Sequence, residues 1–190
     1  DTLVMLLIVG VNSGYSGIVV AHELAHRREK HLQWLGRLLL SSVLYEHFAT
    51  EHVRGHHARV GTPEDPATAR FGETYQRFFL RTVPAQFKSA WRLECHRMGD
   101  AAMPLWDRRQ LHNRVLHGAV FAWSVAFAIA ATLGAGAFAF HLLQASIAIR
   151  LLEAVNYFEH WGIVRRGKKP TPSTTPLAII HKHINEPPPD

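Results

Sequence analysis

The sequence predicts an all-α integral membrane protein, a helical bundle of about four membrane segments with further helices lying at the interface. Three observations predict it. From Thr2 to Ala21 there is no charged residue, a length of about 20 residues that crosses a hydrocarbon core at about 1.5 Å per residue. Two further apolar runs, Leu116 to Leu133 and Ala137 to about Phe158, are joined by Gly134-Ala135-Gly136, the pattern of a membrane hairpin. The mean hydropathy of -0.04 averages long uncharged runs with very polar ones.

Taken in order, the first run ends in His22-Glu23 and carries Gly10, Gly14 and Gly17, small residues that let membrane helices pack closely. It lacks a basic flank before it and a small-residue cleavage site after it. It is therefore expected to be an internal span and not a signal peptide, with further spans missing upstream. Leu32 to Phe48 is apolar but includes Arg37 and Glu46; it is expected to be a short re-entering span, with a buried helix as the alternative. In the segment TPEDPATARFGE, residues 62–73, Asp65 before Pro66 has the form of an N-cap and first helical position. A basic, partly amphipathic region follows to about Arg114, with Phe71, Tyr75, Phe78, Phe79, Phe87 and Trp91 spaced along it, as in helices lying on headgroups. His141, Gln144, Arg150, Glu153 and Asn156 punctuate the second hairpin arm. Polar groups at that depth face a protein interior, and Arg150 and Glu153 are spaced to neutralise each other.

At 190 residues the chain is one unit, residues 1–170, followed by a proline-rich, patternless tail over 171–190. Lys+Arg 21 against Asp+Glu 15 gives +6, concentrated between Arg70 and Arg114. That basic balance suits a cytoplasmic membrane surface and not nucleic acid. The single Cys95 excludes an internal disulfide and any multi-cysteine zinc or iron–sulfur site.

The chemistry lies in histidines. His22 and His26 are one helical turn apart, as two ligands of one metal require; His52 and His56 repeat that spacing, and the adjacent His57 is able to turn toward a second metal. His160 stands at the end of a span. A neutral imidazole at membrane depth is costly unpaired, and coordination both satisfies it and requires that neutral form. His22-Glu23-Leu24-Ala25-His26 also fits the HExxH rule of zinc proteases, which remain an alternative, as does a metal-binding transporter. Zinc catalysis needs three ligands and an open position, whereas two irons held mostly by imidazole account for the larger number present. Glu23 and Glu51, beside the boxes, are candidates to orient the rings or add a ligand, and Glu159, beside His160, to orient them.

HELAH at 22–26, EHVRGHH at 51–57, TPEDPATARFGE at 62–73 and NYFEHWG at 156–162 resemble, in order, signatures of the bacterial integral-membrane alkane 1-monooxygenases. The histidine boxes alone also fit membrane fatty-acid desaturases, other hydroxylases and xylene monooxygenases. The resemblance covers roughly residues 1–170, with Trp161 where tyrosine is more usual. It implies a membrane di-iron centre on the cytoplasmic side of the bacterial inner membrane, with His22, His26, His52, His56, His57 and His160 as ligands. It further implies insertion of one oxygen atom of O2 into the terminal C–H bond of an alkane, with electrons passed from NADH through rubredoxin reductase and rubredoxin. An acidic rubredoxin would meet the basic 70–114 surface. The family's last box, an HxxHH cluster, has no counterpart: the chain ends PSTTPLAIIHKHINEPPPD, where His181 and His183 have the wrong spacing. The chain therefore reads as a fragment, with a tail out of frame or artificially ended, and is expected to be inactive alone.

Overall fold

A computed structural model describes residues 1–165, which are all-helical with no strand among them. The tail and His181 and His183 lie outside the described residues. Helix α1, Thr2–Ala25, is capped by the Asp1 carboxylate accepting from Leu3 N–H at 3.1 Å and contains a π turn at Ser13–Gly17. Only 17% of its apolar window is buried, so Leu3, Ile8 and Val19 face outward as they do against lipid and not as in a soluble core. The last helix, α5, Arg114–His160, is apolar along its length with 6% of its window buried. Asn113 caps it by accepting from Val115 and Leu116 N–H. These two helices are long and apolar enough to cross a membrane.

The expected hairpin lies within α5. Gly134 takes φ 86°, a region open to glycine and costly to other residues. The Phe127 and Phe138 rings then stack 6.0 Å apart, where a straight helix would separate them by about 16 Å, so the chain folds back. The second arm packs closely on α1. A Cβ at Gly10 would stand 2.8 Å from Ile147 Cβ and one at Gly14 would stand 3.0 Å from Leu151 Cδ1, whereas Gly17 faces open space.

Two expectations are corrected between these spans. The run 32–48 is not one segment: α2, Lys30–Ser41, has 12 residues, about 18 Å, too short for a core of about 30 Å. It ends in a turn where Leu44 takes φ 57°, and α3 starts at His47. Arg37 and Glu46, the charges that made a span awkward, pair with each other across the turn, and Arg37 also donates to Thr50 Oγ1 at 2.8 Å. Likewise Asp65 starts no helix; its carboxylate accepts from Ala67 N–H at 3.2 Å and Thr68 O–H at 2.5 Å, closing a turn.

Helix α3 runs His47–Glu51, then a π turn His52–His56, then a last turn His57–Arg59. Helix α4, Tyr75–Arg97, does not merely lie on the surface. It packs on α3 and α5 and buries Phe78, Thr82, Gln86, Ala90, Glu94 and Cys95. Ile18, Ala21, Leu40, Tyr45, Phe48 and Ala148 form the core under the histidine-bearing ends. Arg150 and Glu153 do not neutralise each other. Glu153 accepts from Tyr45 O–H at 2.9 Å, Gln86 Nε2–H at 2.9 Å and Asn156 Nδ2–H at 3.2 Å, while Arg150 stacks over Phe79 at 4.6 Å.

Candidate metal centre

The C-terminal end of α1, the π turn of α3 and the end of α5 bring the motif histidines together. His22 Nε2 lies 2.7 Å from His52 Nε2 and 3.4 Å from His26 Nε2, and His57 Nε2 lies 3.0 Å from His52 Nε2. Each of these four rings offers one nitrogen within 4.8 Å of the others, a set able to surround one ion. His56 and His160 form a separate pair with ring centroids 4.7 Å apart. The ring that leaves the first set is thus His56 and not His57. The cause is the π turn, whose i→i+5 bond, His57 N–H to His52 O, brings residues five apart onto one face. In an α-helix that spacing would turn His57 about 140° away from His52.

The electrostatics of the two sets differ. Burial and the neighbouring rings hold His52 far below its usual value, burial and His56 hold His57 at about 4, and burial lowers His26. These imidazoles are neutral at pH 7, the form that coordinates. Burial also pulls His56 down, but the hydrogen bond and charge of Asp65 outweigh it and raise the ring. Asp65 Oδ2 accepts from His56 Nδ1–H at 2.9 Å, and Asn156 O accepts from His160 Nδ1–H at 2.9 Å. In the neutral ring each bond leaves the other nitrogen, Nε2, as the acceptor, and His160 Nε2 is buried without a partner among the described residues. A crowd of ring nitrogens, most of them held neutral by burial and one of them buried and orphaned, is a donor set that fits transition-metal coordination.

The carboxylates expected to orient these rings do otherwise. Glu23 is exposed and paired with Arg27 at 2.7 Å; Glu51 is buried on Arg59 at 2.7 Å and Ser89 at 3.0 Å; Glu159 is exposed. None of the three is bonded to an imidazole among the described residues; Glu23 and Glu51 are each taken by an arginine instead, Arg27 and Arg59. Asp65 does that work and went unassigned, since its DP dipeptide has the form of a helix start. His96, His112 and His117 are exposed and lie outside both sets.

Apolar spanning helices whose ends converge on a cluster of imidazoles, from buried to exposed, define a class, the histidine-box membrane proteins. The chain belongs to the fatty acid desaturase family, whose sequence profile matches residues 2–186. It is 40% identical over 166 residues to alkane 1-monooxygenase 1 of Pseudomonas aeruginosa, covering 85% of this chain and 41% of that protein. It is 38% identical over 167 residues to alkane 1-monooxygenase of Acinetobacter baylyi, covering 85% and 40%. The xylene/toluene monooxygenase hydroxylase component of Pseudomonas putida is 26% identical over 162 residues, covering 83% and 42%. The chain thus spans about two fifths of the length of these relatives.

Proposed function

We propose that this chain is the histidine-box part of a membrane di-iron alkane 1-monooxygenase, which converts an alkane and O2 to a terminal alkanol with electrons from rubredoxin and its NADH-dependent reductase. The convergence of His22, His26, His52 and His57 beside the His56–His160 pair carries the reading. The first set would hold one iron and the pair would contribute to a second. When bound, such a centre supplies the activation of O2 that C–H oxidation needs. The protein's own groups neutralise and orient: Asp65 and the Asn156 carbonyl fix the tautomers of His56 and His160. Phe48, stacked on His52 at 4.8 Å, shields one side of the ring from water.

A groove of about 330 Å³, lined by Arg59, Arg70, Arg81, Lys88 and Arg92, reaches Asp65 and so the His56 side of the centre. Arg81 and Arg59 are engaged by Glu73 and Glu51. Arg70, Lys88 and Arg92 are exposed at its rim, where an acidic rubredoxin would meet them. This reading places the face toward the cytoplasm, on the inner membrane. A zinc protease fits less well: Glu23, the base that HExxH chemistry needs at the metal, is exposed on Arg27. The test is metal analysis and turnover of the complete parent protein in membranes with rubredoxin, its reductase and NADH. Close to two irons per chain and terminal alcohol from a medium-chain alkane are expected; one zinc per chain, or no alcohol, would refute it.

A further inference from the structure

His47 belongs to neither histidine set. It is buried between α4 and the first hairpin arm, its ring 4.5 Å from Tyr45 and 5.1 Å from Phe87, and its Nε2 has no partner among the described residues. Burial holds it at about 4, so the ring is neutral at pH 7 and offers one donor and one acceptor. An unpaired polar atom at such a depth is unfavourable until something supplies its hydrogen bond.

Two adjoining cavities share this ring. The larger, a groove of about 480 Å³, is walled by apolar Leu44, Phe79, Val83, Phe87, Trp123 and Ile149. The smaller, about 100 Å³, lies against the first arm and is lined by Glu46 as well as His47. The buried Oε2 of Glu46 also has no partner among the described residues. Gly118 makes room for it, since a Cβ there would overlap the carboxylate. An apolar groove with an unpaired ring nitrogen on a residue of its wall, beside a smaller cavity bounded by the Glu46 carboxylate, matches a single apolar chain with one terminal hydroxyl. An alkane fills the groove but leaves Nε2 unpaired, and a fatty acid brings a carboxylate against Glu46.

We propose that this groove binds a primary alkanol, its chain along Val83 and Ile149 and its hydroxyl hydrogen-bonded to His47. The groove is separated from the metal-site rings by Tyr45, stacked on Phe48 at 6.0 Å, and Phe48, stacked on His52 at 4.8 Å. It is thus a place where the alcohol is held away from the reacting centre. The proposal rests on the alkane-oxidation reading only for why an alkanol is at hand; binding itself needs no turnover.

The experiment measures equilibrium binding of labelled 1-dodecanol to the complete protein in phospholipid nanodiscs without electron donor, with dodecane, dodecanoate and added phospholipid as competitors. The alcohol is expected to bind roughly tenfold tighter than dodecane, the worth of one good hydrogen bond. His47→Leu should lose that preference while keeping dodecane binding, His47→Gln should keep most of it, and Val83→Trp should lose both ligands. Melting temperature and metal content should stay at wild-type values in all three. Equal binding of alcohol and alkane by the wild type, an unchanged preference in His47→Leu, or displacement of the alcohol by phospholipid or dodecanoate at matched concentration would each overturn the proposal. A protein without iron or turnover that still shows the His47-dependent preference would sink the alkane-oxidation reading and leave this one standing.

Discussion

The four-histidine set and the His56–His160 pair lie side by side but are built differently. His22, His26, His52 and His57 are partly open, three of the four less than fully buried, and their close nitrogen contacts are with one another. His56 and His160 are buried, and each is fixed from behind, by Asp65 and by the Asn156 carbonyl. The first set depends on where helices end. The second depends on what hydrogen-bonds to its far nitrogens. The contrast teaches that positioning and orientation, both needed by a metal, are supplied here by different means: backbone register in one case, a carboxylate and a carbonyl in the other.

The largest effect should come from the ring at the centre of the open set. His52→Ala removes the nitrogen nearest both His22 and His57 and should abolish metal retention by that set and all turnover. His160→Ala should lower metal content by no more than the share of the second site. Metal quantification of both variants beside the exposed controls His96→Ala, His112→Ala and His117→Ala checks this. Equal losses from His52→Ala and His160→Ala would show the six rings to be one inseparable unit. A smaller effect is expected at Asp65. Asp65→Asn keeps the shape but weakens the acceptor for His56 Nδ1–H, and should lower metal affinity about 10–100-fold at the pair while the four-histidine set keeps its affinity; metal titration with a competing chelator separates the two phases. The smallest effect belongs to the groove that leads to the pair. Lys88→Glu with Arg92→Glu should slow rubredoxin-dependent turnover several-fold at low salt and flatten its salt dependence, with metal content unchanged. Unchanged steady-state kinetics at low salt would remove that face as the docking site.

Much of this was legible in the sequence because it rests on composition and local spacing. The uncharged run from Thr2, the Gly134-Ala135-Gly136 turn and the box histidines each carry their own signal, and α1, the hairpin and the clustered rings follow from them. What was not legible depends on contacts between distant residues. Arg37 and Glu46 looked like charges within a span until a turn let them pair. Asp65 looked like a helix cap until His56 folded over it. The π turn at His52–His56 has no residue-type signature, so a helical wheel drawn at 3.6 residues per turn assigned the second face to His57 and not His56. His47 gave no signal at all, being one histidine among many whose importance comes only from the groove beside it.

The π turn has a consequence for the gene. A π turn is an α-helix with one residue added, so the interval between His52 and His57 is counted in codons, and the count decides which ring serves which set. Losing a single codon there would restore ordinary helical winding and leave every histidine present in the composition. The ring after the gap would then stand four residues from His52, still on its face, whereas gaining a codon would turn the rings beyond it by about 100°. In this stretch substitutions and length changes therefore face separate kinds of selection. A neighbour such as exposed Val53 is free to drift in identity, but the number of codons between the rings is not free to grow by one.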